Sequence, residues 1–244
     1  MSRPTAAYGV TATIGVYGSA STWVFNVVRE LAIAQHGADK VHAIFSDTLQ
    51  KVLEDPQARD RHLVWKLHRP DKGWPLFAAL TRARVILTVR DPRDAMLSMM
   101  QRFGSEMDAA CAAVLQALRG IAENSASPHF GLRYESRFFD RPETVRDLAC
   151  YLGLSVAEAE QRRIFETYRT ERVRQFGLAI DTLPPERVKP VGDVSRYDVV
   201  TQIHHAHIGD QRIGKWRDQF DAEQRRIVNA RFAPYLRAFG YESE

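Results

Sequence analysis

The sequence predicts an α/β protein: an open, mostly parallel sheet flanked by helices. Three observations predict it. Short apolar runs rich in β-branched residues alternate with longer stretches of helical period, the pattern of parallel strands joined by helical crossovers. One run, Val85-Ile86-Leu87-Thr88-Val89, has little polar alternation, as expected of a central strand buried on both faces. The stretch IGVYGSASTWVFNVVREL, residues 14–31, reads as a strand, a tight loop of small residues and a helix.

The elements follow in order. Strands are expected at Thr11–Val16, Val41–Phe45, Leu63–Leu67, Val85–Val89 and Phe130–Arg133. In the first helix Trp23, Val27, Leu31 and Ala34 share a stripe, and Ser19 or Ser21 can cap its start. A second helix opens at Asp91-Pro92, where proline suits the first position, and its apolar side is Met96, Met99, Met100 and Phe103. Those methionines read as core rather than cofactor contacts. Further helices are expected over 107–124, 142–152, 156–175 and 221–238. Residues 177–215 hold Pro184-Pro185, Pro190, His204, His205 and His207, and predict a long irregular lid or binding segment around a short helix near 196–205.

The chain has 244 residues, which suits one domain, here taken as 1–244. An apolar fraction of 45% and a charged fraction of 26% argue against long disorder. A net charge of +4 and a pI near 9.2 favour an anionic ligand and are too weak to argue for nucleic acid. Cys111 and Cys150, alone, build neither a disulfide framework nor a zinc site. No secretory leader and no run of ~18–20 apolar residues is seen, so a cytoplasmic protein without a transmembrane segment is expected.

Three stretches carry chemistry. The loop Gly18-Ser19-Ala20-Ser21-Thr22 ends at a helix start, where backbone N–H groups and the positive helix end converge on one point. That suits phosphate or sulfate, although such a turn can also be purely structural. The nucleotide triphosphatase pattern GxxxxGK[ST] is absent, which disfavours a kinase. Lys66 and His68 lie two apart at a strand end, so they share a face and point to the edge where open α/β sheets bind ligands. The alternative is a solvated lysine beside a surface histidine. Arg90 directly follows the buried strand and Ser98 lies in the next helix. The guanidinium fork fits phosphate oxygens, or it pairs with a nearby carboxylate. His204, His205 and His207 lack the convergent spacing of a metal site, and no metal is expected.

Five motifs in order, GSASTW, WKLH, RDPRDAMLS, LRYES and RIGKWRDQF, resemble the sulfotransferases that use 3′-phosphoadenosine 5′-phosphosulfate (PAPS). The resemblance spans roughly residues 10–238. It implies a P-loop NTPase-like fold and transfer of a sulfuryl group to a hydroxyl or amine, with PAPS as donor co-substrate. Gly18, Ser19, Ala20, Ser21, Thr22 and Trp23 match the family's loop around the donor's 5′-phosphosulfate. The family's usual Lys-Ser-Gly-Thr-Thr-Trp reads Gly-Ser-Ala-Ser-Thr-Trp here, so Gly18 stands in the lysine position. Lys66 and His68 match its Lys-Thr-His segment, whose histidine is the base. Arg90 and Ser98 match the pair holding the 3′-phosphate, and Tyr134 the tyrosine near the adenosine. Gly214 and Trp216 match the late Gly-x-Trp. The usual Arg-Lys-Gly before it reads Gly209-Asp210-Gln211, leaving Arg212 or Lys215 to take its place.

On this reading His68 takes the acceptor's proton and cationic groups stabilise charge on the leaving phosphate. Lys66, Arg212 or Lys215 would supply the charge that Gly18 does not. The alternative is a degenerate module that binds the nucleotide or a partner without transfer. The acceptor is expected to be a small molecule or carbohydrate, selected by loops 47–62, 68–78, 104–110 and 177–210. Trp65, Trp74, Phe77 and Phe103 are candidates for an apolar acceptor pocket or for core.

Overall fold

The computed structural model describes residues 9–191, 195–205 and 207–241. Its main sheet has five strands: β1 (Val10–Gly15), β2 (Val41–Phe45), β3 (His62–Leu67), β4 (Arg84–Val89) and β5 (Phe130–Arg133). They lie in the order β2-β3-β1-β4-β5, every pair parallel. All five agree with the sequence pattern within a residue at each end.

The helices are α1 (Ser21–His36), α2 (Leu49–Glu54), α3 (Trp74–Thr81), α4 (Pro92–Phe103), α5 (Met107–Ser125), α6 (Glu143–Leu152), α7 (Glu158–Thr167), α8 (Thr170–Leu178), α9 (Trp216–Gln219) and α10 (Ala222–Ala238). Strands β6 (Val188–Val191) and β7 (Ser195–Asp198) form a separate antiparallel pair.

Alternation along the strands divides the interior into two cores. Ala12, Ile14, Trp65, Val85 and Leu87 pack on one side with Met96, Val114, Leu118 and Phe232 of α4, α5 and α10. Val64, Ile86 and Leu132 face the other side, against Val24, Val28, Leu31, Leu148 and Ile164 of α1, α6 and α7. A strand covered on both faces has no polar face to alternate, which is why β4 reads as a continuous apolar run.

Several expectations are corrected. Neither Ser19 nor Ser21 caps α1: Ala20 holds the N-cap place without a side-chain bond, and Ser19 Oγ instead donates to the Val16 carbonyl at 2.6 Å. The single helix over 156–175 is two, broken at Tyr168-Arg169, where Arg29 Nη2 donates to the Tyr168 hydroxyl at 2.9 Å and ties the corner to α1. The short helix near 196–205 is instead the β7 strand and a turn. Asp198 accepts from Arg187 Nη2 at 2.8 Å and from the Thr201 N–H at 3.0 Å, which closes that turn. Within loops 47–62 and 68–78 the chain forms α2 and the start of α3. Asp71 Oδ1 accepts from the Gly73 and Trp74 N–H groups, and Trp74 is wholly buried, so a turn signal and one aromatic anchor start α3.

Among the described residues, no helix is long and apolar enough to cross a membrane.

Candidate active site

The strand register assembles the site. Ile14 pairs with Leu67 and Gly15 with Thr88, so the ends of β1, β3 and β4 lie side by side. Residues that leave those ends, Gly18 to Trp23, His68 and Arg90, therefore meet at the C-terminal edge of the sheet. Val89 pairs with Arg133, which sets Tyr134 beside Arg90, and the guanidinium lies 4.1 Å from the Tyr134 ring centroid.

The loop between β1 and α1 is held by packing that only small residues allow. A Cβ at Gly15 would lie 2.1 Å from Thr88 Oγ1 and 2.6 Å from the Ser21 Cβ. Ser19 is fully buried, and its Oγ also sits 2.7 Å from Thr88 Oγ1, so its hydroxyl builds the loop from behind. Gly18 and Ala20 adopt left-handed φ values of 68° and 61°, a conformation that costs alanine about 1 kcal/mol or more. These kinks turn the start of α1 toward a cavity lined by Ala20, Ser21, Thr22 and Trp23. With no side chain capping that end, its first N–H groups are available to an anion.

Two cavities flank the loop. The first, about 840 Å³ including its open mouth, is lined by the loop, Arg90, Ser98, Tyr134, Gly209-Asp210-Gln211 and Lys215. The second, about 1010 Å³ by the same measure, is lined by Tyr17, Phe45, Lys66, His68, Phe103, Tyr197 and His204, among others. Gly18, Thr22, Ser98, Arg102 and His207 line both and form the shared wall.

In the second cavity His68 is held in one tautomer. Its Nδ1 lies 2.6 Å from the Gly15 carbonyl, which can only accept, so Nδ1 carries the proton and Nε2 the lone pair. Tyr17 stacks on the imidazole at 4.3 Å between ring centroids and Phe45 meets it edge-on. Burial, then the Lys66 ammonium, pushes its pKa down to about 4, so the ring is neutral. Lys66 donates from Nζ to Thr22 Oγ1 at 2.7 Å, linking this cavity to the loop. Burial and then the Arg102 charge lower its pKa to about 7.

Arg90 is buried, and its Nη1 donates to the Gly18 carbonyl at 2.9 Å and to Ser98 Oγ at 3.2 Å. It lines the first cavity and sits 3.7 Å from the Asp94 carboxylate, the pairing the sequence also allowed. Asp94, fully buried, accepts the Gly214 N–H at 2.6 Å and the Trp216 N–H at 3.1 Å. The late motif is therefore anchored to α4 through one carboxylate. Trp216 is buried under Arg93, 3.8 Å from its ring centroid, and lines neither cavity. Lys215 lines the first cavity, with Nζ donating to Gln101 Oε1 at 2.7 Å. Arg212 turns away and pairs with Asp218 at 2.9 Å, leaving only its carbonyl to accept from Arg90.

Of the aromatic candidates, only Phe103 lines the second cavity. Trp65 and Trp74 are wholly buried and form an edge-on cluster with Phe77, so these three are core. His204 and His207 line the second cavity, whereas His205 is exposed. Among the described residues, no group of three or more histidine, cysteine or acidic side chains is placed to hold a metal.

Sequence reasoning missed Arg102, which lines both cavities. The signal was present: Arg102 lies four residues after Ser98, hence on the same helix face. It also missed Tyr17 and Phe45, which sandwich His68.

A parallel sheet with a turn of small residues after its central strand, opening into a helix, defines the α/β class, and comparison with known proteins makes it specific. Residues 18–240 match the family described as "Sulfotransferase domain". The chain belongs to the sulfotransferase domain family, and sulfuryl transfer is the activity that membership assigns. Similar solved structures include mouse sulfotransferase SULT7A1 complexed with PAP, at 11% identity, TM-score 0.61, covering 96% of this chain and 85% of that one. Retinol dehydratase with androsterone and the inactive cofactor PAP is similar at 15% identity, TM-score 0.58, covering 96% and 82%. Retinol dehydratase with retinol and PAP is similar at 14% identity, TM-score 0.55, with the same coverage. At these identities the likeness establishes the fold. No curated protein matches the chain.

Proposed function

We propose that this chain transfers the sulfuryl group of PAPS to a hydroxyl or amine of a small acceptor, with His68 as general base. The observation that carries the reading is the Gly15 carbonyl held 2.6 Å from His68 Nδ1, which leaves Nε2 unprotonated in the cavity that shares a wall with the anion-binding loop. In the first cavity the N–H groups at the start of α1 would hold the 5′-phosphosulfate. Arg90 with Ser98 would hold the 3′-phosphate, Trp23 and Tyr134 would flank the adenosine, and Lys215 would add charge. PAP in the similar structures supports this choice of donor.

The acceptor's oxygen or nitrogen would attack sulfur, its proton would pass to His68 Nε2, and the sulfur–oxygen bond to the phosphate would break with its electron pair left on that oxygen. A base with a pKa near 4 is weak in the free protein. Burial is the larger cause of that low value and the Lys66 charge the smaller; an anionic donor beside Lys66 would offset the second and raise the pKa in part.

Tyr17, Phe45, Phe103 and Tyr197 give the second cavity aromatic walls. An acceptor with a flat or apolar body fits these walls. Androsterone and retinol in the retinol dehydratase structures agree with an apolar acceptor. The segment 177–215 supplies the outer wall of both cavities. Asn26 Nδ2 donates to the Thr201 carbonyl at 2.7 Å and Arg29 Nη1 to the Val200 carbonyl at 2.7 Å, which ties that wall to α1.

The test is PAP release from PAPS across a panel of phenols, sterols, sugars and amines, with His68→Ala beside the wild type. The expected result is transfer by the wild type, with turnover in the variant reduced ~100-fold or more and PAP affinity kept. Nucleotide affinity with no transfer to any acceptor would instead establish a binding module. Unchanged turnover in the variant would remove His68 as base.

A further inference from the structure

The transfer leaves negative charge on the oxygen that joins sulfur to the 5′-phosphate, and a fixed positive group beside that oxygen is the largest help a site can give. The loop offers only neutral donors: it has no cation between Gly18 and Trp23. A side chain at position 18 would begin within 3.3 Å of Ser98 and the Arg90 guanidinium, from a left-handed backbone at φ 68°. The charge must therefore arrive from outside the loop.

Among the described residues, four lysines and arginines line the two cavities and a fifth, Arg212, adjoins Arg90; all but one are committed elsewhere. Arg90 is bonded to the Gly18 carbonyl, Ser98 and the Arg212 carbonyl, beside Asp94. Lys215 is bonded to Gln101 and lies 3.6 Å from Asp210. Arg212 is paired with Asp218. Lys66 is bonded to Thr22 and lines only the second cavity, not the wall the two share. Arg102 is different. It lines both cavities at the wall shared with Gly18 and Thr22, and its one hydrogen bond among the described residues runs from Nη2 to the His207 carbonyl at 2.5 Å. A guanidinium has five N–H donors, so donors remain for an anion, and although burial and then the Arg90 charge lower its pKa to about 10, it stays protonated at neutral pH.

We propose that Arg102, carried by α4 one turn beyond Ser98, is the cation that stabilises the leaving oxygen in this sulfotransferase, in place of a charge on the loop. The inference rests on the PAPS reading above. As the acceptor–sulfur bond forms and the sulfur–oxygen bond to the phosphate breaks, that oxygen keeps the electron pair and Arg102 donates a hydrogen bond to it, while the acceptor's proton goes to His68. His207 is the positioning residue: its carbonyl fixes one arm of the guanidinium and aims the rest at the junction.

The experiment measures PAP release from PAPS, with β-naphthol or another acceptor that the wild type sulfates, for Arg102→Ala, Arg102→Gln and Arg102→Lys, with PAP affinity by calorimetry. The expected result is a ~100–1000-fold loss of kcat in the alanine and glutamine variants. The KM for PAPS should change by less than about tenfold while PAP, which carries the full charge on that oxygen, binds more weakly; the lysine variant should be intermediate, and added ethylguanidine should partly restore the alanine variant. Glutamine keeps a donor for the His207 carbonyl, so it guards against an alanine variant that fails to fold. Turnover within about fivefold of wild type in the glutamine variant overturns the proposal while the PAPS reading stands. So does a loss that falls on the KM for PAPS rather than on kcat and resists rescue, since that marks a binding or structural role. If the wild type transfers nothing from PAPS, both fall together.

Discussion

Asparagine at position 94 would keep the shape of the side chain and remove only its charge and half its acceptor capacity. The consequences can be worked out contact by contact. Asp94 is fully buried and accepts two backbone N–H groups, Gly214 at 2.6 Å on Oδ2 and Trp216 at 3.1 Å on Oδ1, with the Arg90 guanidinium 3.7 Å away. An amide has one oxygen, so in either orientation its NH2 faces an N–H donor and one of the two backbone groups loses its partner. A buried donor left unpaired costs about 1–3 kcal/mol. Taking the carboxylate from a buried arginine costs more, about 3–5 kcal/mol for a fully broken pair. Arg90 keeps its bonds to Gly18 and Ser98, so the sum for Asp94→Asn is set at about 3–5 kcal/mol. In a chain of this size that lowers Tm by roughly 10 °C. The assay is urea unfolding followed by far-ultraviolet circular dichroism, with the m-value checked against wild type. PAP affinity should weaken as well, because the Gly214-Lys215-Trp216 turn is held against α4 through these bonds. A stability loss below about 1 kcal/mol at an unchanged m-value would show that Asp94 does not anchor the late motif.

Two further outcomes follow. Gly15→Ala should destabilise the fold by about 2 kcal/mol or more, because the added methyl meets Thr88 Oγ1 at 2.1 Å and disturbs the loop behind Ser19; a melting temperature equal to wild type would refute that close approach. Acidification should weaken the fold from near pH 6.5 downward: burial first, with smaller cationic contributions, holds His62 and His68 at pKa values of about 4 in the native state. Between those values and the ordinary 6.5 the unfolded chain binds more protons, so stability is complete above pH 6.5 and is lost as pH falls toward 4. The loss by pH 5 should be on the order of 2 kcal/mol per histidine, and a flat urea midpoint from pH 8 to 5 would contradict the burial of these rings.

Local pattern and local chemistry settled much of this protein before any coordinates. β1, β2 and β4 were legible as short runs rich in β-branched residues, and β3 and β5, with one such residue and none, as short apolar stretches; their bounds depend on neighbours within the run. The helix at Pro92 was legible because proline and the Asp91 cap act within one turn, with Asp91 accepting the Arg93 N–H at 2.9 Å. Gly18, His68, Arg90 and Ser98 stood out because their motifs are contiguous. Tertiary structure decided what depends on distant partners. Asp198 and Thr201 close a turn where periodicity suggested a helix, because their bonds to each other and to Arg187 outweigh weak local preference. Trp65 became core rather than pocket because strand alternation leaves its side chain two possible faces, and packing against Trp74 of α3 selects one. The spacing from Ser98 put Arg102 on the same helix face, but its place on the wall shared by both cavities, with Nη2 donating to the His207 carbonyl, depended on packing between α4 and His207.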